Sequence, residues 1–522
     1  MLFTKFSCRL ALLSILLSFN GPSSSLATSS ARDGWTSLPI PSLCLPGSST
    51  GVSDGLRLGT HFDLGDADSD RDRDGILAFL PLVQLIELLE ADARQQGTDL
   101  RCLRTAPPLL VRGSTAGIER ARAVLLELDR AGRTQRIALK VTLAPESVPA
   151  GKTIEEFRHT KKFRLRSGES ALVGDQLTRN FIADHDVEVA SGVGTSYPVF
   201  GRVLTGNTAV LTAWRTPDGR STFVSGTLDL AELLDISVFN PTSPDLGSLE
   251  RPRVGSVEVS FSGLIQNEGE LRVEVRGAPL SMKNWNLSIR AMAEPDQPDR
   301  WRIADLAWME ASAEMQGIFG PGAGLQLPRG HSAYAVENKS LTSAVMWAEL
   351  QAAFVGRRSA RPIFAIAPGI LVALADDSQI WSELDPLMTA ASQSRSATYP
   401  IRIDAGALTV QFSSAEGLHC TVRAGIETTV LEDYEVELAK DFWMADPQVE
   451  RLFDGVTFQA QLQGGELIGS YWKSETIEIN AFETGHGVVH LPQRKLSRGM
   501  LRVRAGDSSE VQPEFTVFVG EL

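Results

Sequence analysis

From about residue 160 onward the chain alternates between apolar and polar positions. Val187 and Val189 alternate with Asp186 and Glu188. Val257, Val259 and Phe261 alternate with Ser256, Glu258, Ser260 and Ser262, and Leu271, Val273 and Val275 with Arg272, Glu274 and Arg276. A period of two gives each strand one buried and one wetted face, the habit of antiparallel sheets. Phe163-Arg-Leu-Arg166 also alternates, Ser167-Gly-Glu-Ser170 reads as a turn, and Val210 to Trp214 runs into the hairpin signal Pro217-Asp-Gly-Arg220. No long hairpins stand out.

Upstream the period lengthens. From Ile76 to Gln96, Leu82, Leu85, Ile86 and Leu89 recur at helical spacing, with Glu87, Glu90 and Arg94 opposite. Pro107 to Gly113 reads as a short strand ended by glycine. Ala116 to Ala131 reads as a second amphipathic helix with Ile118, Ala121, Val124, Leu125 and Leu128 inward, and Ile137 to Leu143 as a strand.

The pattern then recurs. Phe181-Ile-Ala-Asp-His-Asp-Val-Glu-Val-Ala190 is answered by Val430-Leu-Glu-Asp-Tyr-Glu-Val-Glu-Leu-Ala439. Asp184 and Asp433, Val187 and Val436, Pro198 and Pro447, and Gly206 and Gly455 are each 249 positions apart, with no gap between them. An acidic, an apolar, a proline and a glycine landmark kept in register read as an internal duplication. Val345 to Phe354 reads as helical, Pro368 to Val372 answers Pro107 to Val111, Ser382 to Asp385 answers Leu126 to Asp129, and Glu514 to Gly520 answers Glu270 to Gly277.

The expected architecture is a β-rich α+β chain of two tandem modules. Each is a small helix–strand–helix–strand unit followed by an antiparallel β domain. The expected divisions are a signal peptide over 1–27, a flexible Ser/Pro/Asp-rich linker over 28–75 and an α+β unit over 76–145. A β domain with its tail over 146–316, a linker over 317–340, a second, degenerate α+β unit over 341–398 and a second β domain over 399–522 complete it.

Composition narrows the partners. The 522 residues carry 50 Lys+Arg against 64 Asp+Glu, a formal charge of −14. Such a balance argues against nucleic acid or an anionic membrane held by a general positive field. Lys5 and Arg9, the apolar run Leu10 to Leu17 and the small residues of Ser25-Leu-Ala27 read as an export leader. Without it the chain keeps Cys44, Cys102 and Cys420; a Cys44–Cys102 bridge suits an oxidising compartment, but three thiols make no framework.

Candidate chemistry is sparse. Asp70-x-Asp72-x-Asp74-Gly75 has the opening spacing of a calcium loop, yet Pro81 stands where the twelfth-position glutamate belongs, so an acidic linker is the reading adopted. His486 and His490 lie four apart in a Gly/Val-rich strand or turn, where they splay apart and hold no zinc. Asp184, Asp186 and Glu188 read as a solvated strand face. His185, whose counterpart is Tyr434, has no shared catalytic role. No nucleophile elbow, phosphate loop, dinucleotide fingerprint or paired-cysteine site occurs. The expectation is a non-enzyme with no catalytic, cofactor-binding or metal residues, no cofactor and no small-molecule substrate.

Three segments resemble the bacterial secretins, the outer-membrane channels of type II and III secretion systems. Pro108 to Asp129 resembles the strand and second helix of a secretin N-domain, and Arg136 to Leu143 the opening strand of the secretin homology domain. Phe163 to Gly174, Val203-Leu-Thr-Gly206 and Trp214 to Arg220 resemble that domain's later progression. The resemblance covers about 80–277 and, more weakly, 341–522. It implies an exported, ring-forming protein of the periplasm or outer membrane, with homo-oligomeric or envelope protein partners. It departs from the family in carrying the module twice. The alternative is a soluble periplasmic or surface adaptor that forms no pore.

Overall fold

The computed structural model describes residues 35–41, 44, 58–61, 82–103, 109–134, 136–190, 193–216, 221–239, 247–266, 269–292, 300–305, 364–367, 370–374, 376, 381–382, 385, 397–439, 442–484, 488–512 and 515–520. The leader, the Asp70–Asp74 cluster, the Val345–Phe354 helix and His486 lie outside them. Antiparallel strands dominate the described residues, with two α-helices.

In chain order the elements begin with β1 (Thr36–Leu38), β2 (Gly59–His61), α1 (Leu82–Gln95), β3 (Leu100–Leu103), β4 (Leu109–Gly113) and α2 (Thr115–Thr134). There follow β5 (Ile137–Pro145), β6 (His159–Leu165), β7 (Glu169–Ala190), β8 (Val193–Arg215), β9 (Ser221–Phe239), β10 (Leu249–Gln266), β11 (Glu270–Arg276) and β12 (Trp285–Ala291). The later part holds β13 (Trp301–Asp305), β14 (Phe364–Ala367), β15 (Ile370–Leu374), β16 (Thr398–Ala405), β17 (Leu408–Ala415) and β18 (His419–Ala439). It ends with β19 (Phe442–Gln463), β20 (Glu466–Glu483), β21 (Val488–Arg504), β22 (Ser508–Gln512) and β23 (Phe515–Val519).

The helical unit is built around α1 and α2, whose apolar faces close one core with two small sheets. One sheet runs β1-β4-β3 and the other β13-β15-β14. Leu85, Leu88, Leu89, Val124, Leu125 and Leu128 from the helices meet Leu38, Leu109 and Val111 on one side and Trp301, Ile303 and Val372 on the other. The entry to α2 follows from its glycines. A Cβ on Gly113 or Gly117 would lie 2.2 or 2.3 Å from the Asp99 carbonyl oxygen, and Ser114 Oγ accepts the Gly117 N–H at 3.1 Å as a helix cap. Asp92 of α1, 1% exposed, accepts from Arg120 of α2 at 2.8 Å and from Arg300, next to β13, at 3.1 Å.

The rest is a two-layered β body. The longer sheet runs β2-β8-β9-β10-β18-β19-β20-β21, with β7 also on β8, and the shorter runs β22-β23-β16-β17-β11-β12-β5-β6. Their facing apolar rows form one core that takes Val173, Leu211, Val224, Leu228 and Val257 together with Val422, Phe458 and Leu467 from the longer sheet, and Leu139, Val141, Val273 and Trp285 together with Ile401, Ile403 and Val517 from the shorter. Burying each such side chain contributes on the order of 2 kcal/mol, so this core is the main source of stability.

Several expectations are corrected here. The two β domains expected over 146–316 and 399–522 share both sheets and this core, because β10 pairs with β18 and β11 with β17. The stretch expected as a linker over 28–75 supplies β1 to β4 and β2 to β8. β5 leaves the helical unit and pairs with β12 and β6. β13, expected in the tail of the first β domain, pairs with β15 beside α2. Glu514 to Gly520 does not answer β11: β23 sits beside β16 as β12 sits beside β5, and β22 takes the place of β11. Pairing decides this, since Phe515, Val517 and Val519 are core residues but so are Leu271, Val273 and Val275 of β11.

The strands also differ in length from the expectation. β7 and β8 run for 22 and 23 residues, and β18 and β19 for 21 and 22. One inserted residue in β7, Ala183, and another in β18, Glu432, break the pairing register and with it the simple alternation.

Candidate assembly edges

The β body repeats itself in its pairing. β7 on β8 pairs Ile182 with Phe200, skips Ala183 and resumes at Asp184–Val199 and His185–Pro198. β18 on β19 pairs Leu431 with Val449, skips Glu432 and resumes at Asp433–Gln448 and Tyr434–Pro447. Every one of these positions is displaced by 249. The next hairpins match too: Leu234 is the skipped residue where β9 meets β10, and Ile477 where β20 meets β21. The strand orders β11-β12-β5-β6 and β22-β23-β16-β17 correspond, as do β1-β4-β3 and β13-β15-β14.

The longer sheet is continuous at one end and divided at the other. β8 and β9 part after Gly206–Ala231, and β19 and β20 after Gly455–Ser474, while β9 and β20 continue to Phe239 and Glu483. Each half therefore ends in two hairpins beyond the split. In the first half, β7/β8 packs onto β9/β10: Phe181, Ala183, Val203 and Leu204 close a small core with Ala231, Val254 and Leu58. The Ile182 N–H donates to the Glu250 carboxylate at 3.0 Å and holds the two hairpins together. In the second half Leu431 and Tyr434 pack with Val489, and Phe239 of the first half joins them. Phe239 also takes Arg251 over its ring at 5.4 Å and His490 edge-on at 6.5 Å.

This packing changes the reading of the acidic stretch. Asp184, Asp186 and Glu188 do lie on one strand, and the last two are exposed. Asp184 is half-buried, however, and His185 is only 5% exposed, its ring against Gly247 at the tip of β9/β10. Asp184 Oδ1 accepts the His185 N–H at 2.8 Å, and Asp433 Oδ1 accepts the Tyr434 N–H at the same distance. Burial pushes the Asp184 carboxyl up to about 6, with the neighbouring Asp186 adding to it, and holds the His185 imidazole below its ordinary value. The period of two could not show this, because burial here comes from a hairpin folding over its neighbour. The conserved geometry is that of a bulge, and His185 and Tyr434 fill the same packing position.

The remaining candidates do not converge. Among the described residues no three His, Cys, Asp or Glu side chains gather as metal ligands. His159 pairs with Asp175 at 3.3 Å, and His490 lies on β21. Cys44, Cys102 and Cys420 are free thiols, so the Cys44–Cys102 bridge is absent from this structure. No described helix is long and apolar enough to cross a membrane, which leaves insertion by strands untouched.

The conspicuous unfilled features are the ends of the sheets. Among the described residues β7 pairs only with β8 and β21 only with β20. On β7, residues 175–180 are exposed without interruption, on both faces of the strand, with Leu177 at 69%. On β21, Leu496 is 63% and Met500 82% exposed. An uncovered strand edge of this length is a template for a further strand.

No protein-family model matches the chain. No curated protein matches it. Among solved structures, the secretin InvG of the Salmonella SPI-1 type III secretion injectisome aligns at 11% identity over 40% of this chain and 80% of that one, with a TM-score of 0.17. The InvG secretin-domain β-barrel from the Salmonella SPI-1 injectisome base aligns at 13% over 49% and 82%, TM-score 0.18. A chain of the ETEC pilotin–secretin complex AspS–GspD aligns at 13% over 61% and 75%, TM-score 0.15. Superpositions at these scores do not establish a common fold.

Proposed function

We propose that this chain is an exported, non-enzymatic envelope protein of secretin type that carries its module twice and assembles into a ring as a component or relative of protein secretion machinery. One observation carries the reading: a two-layered β body of two matching halves, continuous inside the chain and ending in uncovered strands on both sides. Such a body is a segment of a larger closed wall. The sequence segments that resemble secretins fall on this framework. Pro108 to Asp129 spans β4 and α2, Arg136 to Leu143 lies on β5, and Phe163 to Gly174 spans the turn from β6 into β7. Val203 to Gly206 reaches the point where the sheet splits. Matching skipped residues and strand orders in the two halves support a duplication of the whole module.

The charge on the hairpins beyond the split favours a further variant of the ring reading, a periplasmic assembly that does not enter lipid, over a membrane-embedded one. The soluble adaptor that binds a partner protein without forming a pore remains the alternative. Beyond the split, β20 and β21 are long enough to span, since a transmembrane strand needs roughly ten residues. Exposed Ile477, Ile479 and Phe482, however, share β20 with Glu475, Glu478 and Glu483.

Cell fractionation of the full chain, followed by unheated gels of the detergent extract, separates these readings. A multimer that needs detergent and resists heating supports a membrane-embedded ring. A multimer in the soluble fraction supports the periplasmic assembly. A soluble monomer sinks the ring reading.

A further inference from the structure

The two ends of the longer sheet differ in charge and in what they leave exposed, and the chain already contains a junction of the kind those ends would make. We propose that β21 of one chain pairs antiparallel with β7 of the next, in the register that β10 and β18 show within the chain. This rests on the ring reading above and deepens it by specifying the contact.

The register follows from the matching halves. The pairing of β20 with β21 reproduces that of β9 with β10, skipped residue included, so β21 holds the place of β10. The pairing of β18 with β19 reproduces that of β7 with β8, so β7 holds the place of β18. Within the chain Arg253 faces Thr428, Ser256 faces Gly425 and Val259 faces Val422. The corresponding contacts place Gln493 against the neighbour's Arg179, Leu496 against its Gln176, Ser497 against its Asp175 and Gly499 against its Val173. Eight alternating strands from β7 to β21 leave the two end strands running in opposite directions, so an antiparallel joint continues the sheet. In the shorter sheet the same equivalence brings β22 to the neighbour's β6 as β11 meets β17.

Burial supports the assignment. Ser256 and Val254 are 5% and 0% exposed at the internal junction, and their counterparts Leu496 and Arg494 are exposed. Gly425 is buried there, and its counterpart Gln176 is exposed. One step further along, Met500 would meet Leu172, giving two exposed apolar side chains a partner on one face.

Charge selects the pairing of unlike edges. Within the paired stretch Gln493–Gly499, β21 carries Arg494, Lys495 and Arg498 and no acid, whereas β7 over Val173–Arg179 carries Asp175 and Arg179. Arg502 and Arg504 are engaged by Glu466, and Arg494 reaches the Phe453 carbonyl, which leaves Lys495 and Arg498 to meet the neighbour. Lys495 then lies diagonal to Asp175, whose carboxylate is 69% exposed beside His159. Pairing β21 with β21 would set Arg494, Lys495 and Arg498 against the same cations, so the contact joins unlike edges head-to-tail and propagates around a ring.

The test is register-specific crosslinking of the full mature chain. Gln176→Cys with Leu496→Cys is compared with Gln176→Cys combined with either Arg494→Cys or Arg498→Cys. A shift by two residues separates the Cα atoms by about 7–8 Å, beyond ready disulfide reach, so the first pair is expected to give a ladder of covalent multimers about tenfold more efficiently. Separately, Lys495→Glu with Arg498→Glu is expected to convert multimers to monomers in sedimentation, and adding Asp175→Lys to that chain to restore them. Multimers whose crosslinks favour a shifted pair, or show no preference, overturn the register while leaving the ring reading intact. An unmodified chain that stays monomeric at every concentration overturns both.

Discussion

Gly206 and Gly455 stand at the same point of the two halves. Each is the last residue at which its strand stays bonded to the next hairpin, Gly206 to Ala231 and Gly455 to Ser474. Both need the absence of a side chain: a Cβ would fall 2.2 Å from the Asp175 carbonyl oxygen at Gly206 and 2.3 Å from that of Ala424 at Gly455. Gly206 also has a φ of +139°, which other residues rarely adopt.

Gly206→Ala is therefore expected to destabilise the β body by about 2–3 kcal/mol, through backbone strain added to a forced shift of the neighbouring strand. Gly455→Ala should cost less, since only the close approach applies. Denaturant unfolding of both variants measures this, and equal costs would show that φ contributes nothing.

Asp92 should be the most sensitive charged residue of the helical unit. Its carboxylate is buried between Arg120 and Arg300 and ties α1 to α2 and to the entry of β13. Asp92→Ala leaves Arg120 and Arg300, each 31% exposed, without their common acceptor and is expected to cost roughly 1–3 kcal/mol. A change under 1 kcal/mol in urea melts would assign the stability of this unit to its apolar core alone.

The Asp184–His185 pair should respond to pH with opposing signs. The Asp184 carboxyl is raised from 3.8 to about 6, so the folded state holds that proton longer. Its favourable contribution is present below pH 3.8 and is lost as pH rises through 6. The His185 imidazole is lowered from 6.5, so its contribution is present above 6.5 and is lost as pH falls through its folded value. Relative to the parent chain, Asp184→Asn should gain melting temperature at pH 7 and not at pH 3.5. His185→Tyr, the residue of the second half, should gain in acid and not at pH 7.5. Thermal melts at these pH values decide it, and a pH-independent difference for either variant removes burial as the cause.

The thiols should be silent in the native protein. Burial pushes Cys44, Cys102 and Cys420 up to about 12, so little thiolate forms at mildly alkaline pH. Thiol titration is expected to find almost none of the three before unfolding and all three after it. A native mass two units lower than the reduced mass would reveal the Cys44–Cys102 bridge that this structure lacks.

Much of the local structure was legible in the chain. The helical spacing of Leu82, Leu85, Ile86 and Leu89 and of Val124, Leu125 and Leu128 marked the faces of α1 and α2, and the alternation around Val257 and Val273 marked core-facing strands. The 249-residue offset between Asp184 and Asp433 anticipated a shared register that extends to the skipped residues. The uncovered edges were not legible. Leu177 and Leu496 look like ordinary apolar strand residues, and only their exposure, where Val257 and Val422 at the internal junction are buried, identifies them.

The sequence by itself determined the apolar faces of α1 and α2, the alternation of the core strands and the correspondence of the stretches around Asp184 and Asp433. Those properties depend on neighbours within a few residues, where a period of 2 or 3.6 leaves a direct trace. The tertiary structure alone decided that two β domains fuse into one body, that β1 and β2 are recruited from an apparent linker, that β23 replaces β12 and β22 replaces β11, and that His185 is buried. Each of these depends on which distant edge or face a strand meets. Backbone N–H and C=O groups are the same in every residue, so that choice is made by the packing of whole sheets and leaves no local pattern to read.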